Sequence, residues 1–565
     1  MTLTSGLWRR LVRSGVQSAS AGGGVTAETL MNMYSGLKDA DFRRALDASG
    51  PPRQPGEPSS MYDESFSPRE IFANSEIHMD EIQAIGFDYD FTLVSYKNAL
   101  QELIFSKARD HLVKHKRYPE ELRDHLEYDS SFAIRGLTFD TERGLLYKMD
   151  PSFRVDLTCV FRGRQRLDKA GALEALGGRL HMRRSAKTDS LRGIFDLFSL
   201  AEACLLSDVT DYFFNKNIEF SPAAVFQDVS SSISYVHRSG LMHRHVMEDM
   251  DTYLKPTPKL RTLLEELQGS GVQTFVLSNS NFDYVDAGMR FLCGDDWMQL
   301  FHVVACEAEK PAFYTSSNPF RQIDLDSTSS NDPLNRRRTN WSAVNKLEPG
   351  KAYCKGNVDD LMRMTQWEGS RVLYIGDHLF ADLRTPARFH GWWTGAIIRE
   401  LEHEIQVERS PEYEVLSLKM QLTEELMRRI QWSPPHDEST TSVSHYLDIL
   451  DRERIALRQS MNDLVNPNFG SVFVSASHSP SLFSSFMTRY VDVYTSRLEN
   501  LLDYGIPDYR FYPRKKRTLP HDPNFRSEAI TRVLETALRR SVRKRDVTLR
   551  TELSFTYEDE DEKKT

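Results

Sequence analysis

The chain has 565 residues, 40% hydrophobic and 27% charged, with a net charge of −9 and a pI near 6.0. That length holds two or three domains with ample apolar material for cores, and the acidic balance gives no case for a nucleic-acid polymer as partner. No apolar run is long enough for a membrane span, and the five cysteines include no C-x-x-C pair, so neither a zinc site nor a disulfide framework is indicated.

Residues 1–27 contain no Asp or Glu and carry Arg9, Arg10 and Arg13 among serines. Leu3, Leu7, Trp8, Leu11 and Val12 fall on one helical face. This is the pattern of a mitochondrial transit segment; the alternative is a basic, unstructured start to a cytoplasmic protein. Residues 28–75 read as a linker rich in Gly, Ser and Pro, with a short helix near 27–47.

The first core strand is expected at 82–88, where Ile82, Ala84, Ile85 and Phe87 run into Asp88. Four more short apolar runs read as buried strands: 274–277, 302–305, 372–375 and 394–398. Helical patterns at 257–268, 283–292, 357–366 and 380–389 lie between them. This alternation predicts a parallel α/β core over 76–97 and 255–400. Residues 98–254 interrupt it and are too long for a loop, so they form an inserted domain. The insertion leaves and rejoins the core near the acidic turn, where it would act as a cap. Residues 314–350 read as an irregular surface excursion.

A helical extension is expected over 401–550. Its stripe of Val415, Leu418, Leu422, Leu426 and Ile430 would pack against the core. Ser433-Pro434-Pro435 ends that helix, and further helical blocks span 442–463 and 481–502. Arg514 to Arg517 is a short basic run, and residues 551–565 form an acidic, disordered tail.

Four polar clusters stand where predicted strands meet loops: Asp88 and Asp90, Ser278-Asn279-Ser280, Lys310, and Gly376-Asp377 with Asp382. Together they fit phosphoryl transfer. Asp88 is placed to attack phosphorus as an anionic nucleophile and form an aspartyl phosphate. A Mg²⁺ ion would neutralise the phosphate, held by the Asp88 and Asp377 carboxylates and the Asp90 main-chain carbonyl. Lys310, Ser278 and Asn279 would contact the phosphoryl oxygens. Asp90 would protonate the leaving oxygen and then activate water.

The set Asp88-x-Asp90-x-Thr92, Ser278-Asn279, Lys310 and Gly376-Asp377-x-x-x-x-Asp382 resembles the four motifs of the haloacid dehalogenase superfamily. The wording Gly-Phe-Asp-Tyr-Asp-Phe-Thr-Leu, Arg135-Gly136-Leu137-x-Phe139-Asp140 and Tyr374-Ile375-Gly376-Asp377-His378 is similar to the cytosolic purine 5′-nucleotidase family. Within it the chain looks most like the 5′-nucleotidase domain-containing proteins, some of which carry mitochondrial leaders. The resemblance implies a Rossmann-like core, a cap inserted after the first motif, a Mg²⁺ cofactor, Asp382 supporting the metal ligands, and often a homo-oligomer. It also assigns nucleotide contacts to Arg135 and His237. Where the purine enzyme has Asn, Arg, Asp and Lys, this chain has Leu145, Ser230, Ser234 and His243. The phosphate end is intact and the base end is altered.

The sequence therefore predicts a Mg²⁺-dependent hydrolase of a small phosphomonoester, a nucleoside monophosphate by resemblance. The competing class is a scaffold that keeps the fold and metal site without turnover; retention of Asp90 argues against it, because scaffolding makes no demand on an acid there. A phosphotransferase would use the same intermediate.

Overall fold

The computed structural model describes residues 27–49, 67–182, 190–327, 337–432, 440–475, 479–506 and 508–513. The expected transit segment except Ala27, the Ser433-Pro434-Pro435 break, the basic run at 514–517 and the acidic tail lie outside the described residues. The chain divides into two units: Phe66–Ile405 with Val465–Lys515, and Met1–Ser65 with Gln406–Leu464 and Lys516–Thr565.

The first unit is built on a nine-stranded sheet. Its order is Phe72–Ala73, Val493–Thr495, Trp393–Ile397, Val372–Gly376, Ala84–Phe87, Gln273–Leu277, Val303–Cys306, Ala352–Lys355 and Phe320–Gln322. The inner seven strands are parallel, and the two edge strands run antiparallel to them. Ala84–Phe87 is the middle strand. Successive strands build out on one side of it and then switch to the other. That switch point is where an open α/β sheet leaves a crevice at its carboxyl edge.

The strand is apolar on both faces because helices cover both faces of a parallel sheet; Ala84, Ile85 and Phe87 are fully buried. Gly86 cannot be larger, since a Cβ there would lie 2.1 Å from the Phe275 ring on the neighbouring strand.

The insertion is joined to the sheet by two crossings, Ser95–Tyr96 and Leu254–Lys255, which pair antiparallel with Tyr96 opposite Leu254. Helix Asn98–Lys116 places Leu100, Ile104, Ala108 and Leu112 at every fourth position, and all four are buried. They share a core with Leu205, Leu206 and Val209 of Ser199–Asn215 and with Val229 and Val236 of Pro222–Arg238. Each such leucine contributes roughly 1.5–3 kcal/mol by leaving water. The last helix starts where the Ser221 hydroxyl accepts from the Ala224 amide and Pro222 supplies a preset φ. A five-stranded antiparallel sheet completes the insertion, in the order Gln165–Arg166, Val155–Arg162, Leu145–Met149, Leu137–Asp140 and Leu191–Ile194.

The second unit is helical: Ala27–Ser35, Asp39–Ser49, Pro411–Trp432 and Thr440–Val465. The Val415-to-Ile430 stripe is buried against Leu30, Phe42 and Leu450. It packs on helices of its own unit.

Three other expectations change. The helix expected over 481–502 stops at Tyr490, and Val493–Thr495 joins the sheet. Val491, Val493 and Thr495 are β-branched and favour extended backbone. The 401–550 extension is therefore divided, with Val465–Lys515 in the core unit. The excursion at 314–350 contains the edge strand Phe320–Gln322, paired with Ala352–Lys355.

Candidate active site

The Asp88 amide continues the sheet pairing by donating to Ile375 O at 2.9 Å. The chain then turns sharply, with Phe91 at a left-handed φ of 54°. A non-glycine residue there persists only when its surroundings hold it. The Phe91 ring packs edge-on against Tyr96 at 4.9 Å and Phe198 at 4.7 Å. The Arg399 guanidinium donates to the carbonyls of Phe91 and Val94, both at 3.2 Å, and to the Ser95 hydroxyl at 2.6 Å.

Lys310 lies at the centre of the charged cluster. Its Nζ is 2.8 Å from Asp88 Oδ1 and 2.7 Å from Asp382 Oδ1, and it donates to the Tyr374 hydroxyl at 2.9 Å. All three ammonium protons are committed. Burial opposes the lysine charge, but Asp382 and Asp88 outweigh it and hold the pKa well above the usual lysine range.

The Asn279 amide clamps the Lys310 main chain, accepting from its N–H at 2.6 Å and donating to its C=O at 3.0 Å. Asn279 therefore positions the lysine from the neighbouring strand end. Ser278 is fully buried and accepts from the Ser280 amide at 3.0 Å, which leaves its hydroxyl proton to donate.

Asp377 and Asp382 follow Val372–Gly376. Gly376 makes room for them, since a Cβ there would sit 2.6 Å from the Asp382 side chain. The second Asp382 oxygen accepts from the His378 amide at 3.1 Å. Carboxylate oxygens of Asp88, Asp377 and Asp382 lie within 4.8 Å of one another, and all three residues are buried. The Lys310 ammonium meets two of them, Asp88 and Asp382. Burial first, then Asp382, pushes Asp88 up to about 8. Asp377 is raised well above the carboxylate range by burial and Asp382. A hard divalent cation fits this excess of buried oxygen donors.

Asp90 lies beside the cluster. Tyr96 OH donates to Oδ1 and Ser280 Oγ to Oδ2, each at 2.6 Å. Burial raises its pKa, while the two hydroxyls pull the other way.

Two predicted residues come from the insertion. Arg135 is fully buried. Its Nε and Nη2 grip the Glu400 carboxylate at 2.7 and 2.5 Å, and Nη1 donates to Asp377 O at 3.2 Å. These bonds tie it to Glu400 and to the loop after Val372–Gly376. His237 packs edge-on against Phe198 at 5.2 Å. Burial and His243 depress its pKa to about 4, with Asp196 and Asp90 acting the other way. His243 sits edge-on to Tyr284 at 4.5 Å. Leu145 is buried in the insertion's own core.

Tyr96, Tyr374, Arg399 and Glu400 were given no role from sequence, and Ser280 stood in the Ser278-Asn279-Ser280 cluster without one. Tyr374 left a signal: a phenol inside a buried strand needs a polar partner. Tyr96, Arg399 and Glu400 are brought together by the fold alone.

Residues 71–524 match the model of the 5′ nucleotidase family. Human 5′-nucleotidase domain-containing protein 2 is 38% identical over 478 residues, covering 83% of this chain and 88% of its own. A 5′-nucleotidase domain-containing protein of Dictyostelium discoideum is 33% identical over 463 residues, covering 80% of this chain and 76% of its own. A solved structure titled a predicted phosphoglycolate phosphatase from Haemophilus somnus aligns with 56% of this chain and 85% of its own, at 13% identity and a TM-score of 0.24. The family match begins before the strand that carries Asp88 and runs past the last strand of the sheet, taking in every residue of the charged cluster, and the chain thus belongs to the 5′ nucleotidase family.

Proposed function

We propose that this hydrolase is a Mg²⁺-dependent phosphomonoesterase that cleaves a nucleoside monophosphate through an aspartyl phosphate on Asp88. The observation that carries the reading is the buried cluster at the switch point, Lys310 between Asp88 and Asp382 with Asp377 alongside. Asp88 and Asp377, with the Asp90 main-chain carbonyl, would hold the metal. When bound it would screen the negative charges of nucleophile and phosphate.

The chain's own residues do the rest. Asp88 is held by Lys310 and by the Tyr89 amide at 2.7 Å, which fixes its direction of attack. As the Asp88 oxygen bonds to phosphorus, the phosphorus–ester bond breaks. Its electron pair goes to the leaving oxygen, which takes a proton from Asp90. Asp90 then removes a proton from the water that attacks the aspartyl phosphate. Inorganic phosphate leaves and Asp88 is restored. Lys310 supplies a positive charge beside the phosphoryl oxygens, and the Ser278 hydroxyl donates to them.

The test is phosphate release from a panel of nucleoside monophosphates, with and without Mg²⁺, for wild type and Asp88→Asn. Turnover that requires Mg²⁺ and vanishes in the variant is expected. No Mg²⁺-dependent turnover on any ester sinks the enzyme reading, and turnover surviving Asp88→Asn sinks the intermediate. The acid-free N-terminus supports import into mitochondria; a reporter fused to residues 1–30 that stays cytosolic would refute it.

A further inference from the structure

We propose that Tyr96 and Ser280 are positioning residues that aim the Asp90 proton at the leaving oxygen; this rests on the phosphomonoesterase reading above. A carboxyl group rotates easily about its last bond, because that torsion is broad and two-fold. Here it is held from both sides. Tyr96 donates to one oxygen from the strand that enters the insertion, and Ser280 donates to the other from the loop after Gln273–Leu277. Both bonds are 2.6 Å.

The bonds have a fixed direction. The Tyr96 hydroxyl is also 2.9 Å from the Tyr284 hydroxyl. A phenol has one proton, and that of Tyr96 is committed to Asp90, so Tyr284 donates to Tyr96. The chain Tyr284, Tyr96, Asp90 therefore points one way, toward the acid. Tyr96 itself has little freedom. Its main chain pairs with Leu254, and its ring is wedged against Phe91.

This matters for the first chemical step. The Asp88–phosphorus bond forms as the ester bond breaks, and the leaving oxygen takes the Asp90 proton. Transfer needs the acid within about 2.6–3.2 Å of that oxygen along the right line. A displacement of about 1 Å costs on the order of 10²-fold. Once the proton has left, the same two hydroxyls stabilise the Asp90 carboxylate.

A merely structural Tyr96 would be a buried phenol that has found a partner, and its removal would weaken every substrate alike. A positioning role predicts selectivity by leaving group. Nitrophenolate departs without help from an acid, and an alkoxide does not. The measurement is kcat/KM with Mg²⁺ on p-nitrophenyl phosphate, phenyl phosphate and a nucleoside 5′-monophosphate. It covers only steps through formation of the aspartyl phosphate, so water activation does not enter. Tyr96→Phe is expected to lose about 30-fold on the nucleotide and under about threefold on p-nitrophenyl phosphate, with phenyl phosphate between. Ser280→Ala follows the same order at about 10-fold, and Asp90→Asn shows the same slope more steeply.

A far-UV circular dichroism spectrum and thermal melt matching wild type show that each variant is folded. An equal loss on all three esters, or no loss on any, overturns the proposal while leaving the phosphomonoesterase reading standing. A wild type inactive on all three overturns both.

Discussion

The two walls of the site handle charge in opposite ways. On the sheet wall, Lys310 is bonded to Asp88, Asp382 and Tyr374, and Asn279 clamps its main chain from the neighbouring strand end. On the insertion wall, Phe198 packs against Phe91 and His237, and His237 is held neutral by burial. Phosphate chemistry is anchored on parallel strands whose ends cannot shift independently. The facing wall is carried on an insertion attached through two short paired strands. On the proposed reading, cleavage falls to the sheet wall and recognition to the insertion wall.

Removing the central charge breaks this contrast most severely. Lys310→Met takes away the one ammonium within a cluster of buried carboxylates. We expect kcat/KM to fall by about 10³-fold or more, and stability to fall by about 3–5 kcal/mol because the carboxylates lose their partner. Phosphate release and a thermal melt report the two effects. Activity retained within tenfold would show that the cluster does not act on phosphate.

Arg135 tests which wall a residue of the insertion serves. Arg135→Met leaves Glu400 without its bidentate partner, a loss of about 3 kcal/mol of stability. If Arg135 anchors the Asp377 loop, kcat falls while KM holds, and Mg²⁺ binding measured by calorimetry weakens. A raised KM with unchanged kcat and Mg²⁺ affinity would return Arg135 to the nucleotide.

The same contrast explains what was legible beforehand. The core strands, buried on both faces, appear as unbroken apolar runs, and Asp88, Lys310 and Asp377 stand within a few residues of where those runs end. Their position follows from local pattern. Strand Val493–Thr495 is only three residues long, and Ala352–Lys355 is a short run closed by lysine on both sides, so neither stands out as an unbroken apolar run. Tyr96 and Ser280 are 184 positions apart in the chain and meet only when the sheet and the insertion are both formed. Arg135 is legible only in part for a related reason: its motif marks the position, but its burial and its Glu400 partner are tertiary facts.

The insertion's histidines give a pH-dependent effect. Burial holds both His237 and His243 at about 4, below the ordinary 6.5. Between those values the unfolded chain binds more protons, so stability is full above pH 6.5 and is lost as pH falls toward 4. Each histidine contributes up to about 3 kcal/mol to that loss. Buried carboxylates with raised pKa values act in the opposite sense, so the comparison is between wild type and the His237→Gln/His243→Gln double variant. Urea midpoints at pH 7.0 and 4.5 should separate less in the variant. Equal separation would mean that the histidines are not held neutral in the fold.

The mildest change sharpens the comparison most. His237→Ala removes a neutral ring from the insertion wall without touching the charged cluster. If that wall recognises the leaving group, KM for a nucleoside monophosphate rises by about tenfold while kcat is held, the pattern of lost uniform binding. Phosphate esters without a base, such as phenyl phosphate, should show little change. A fall in kcat common to all esters would instead place His237 with the chemistry, and the division of labour between the two walls would fail at that residue.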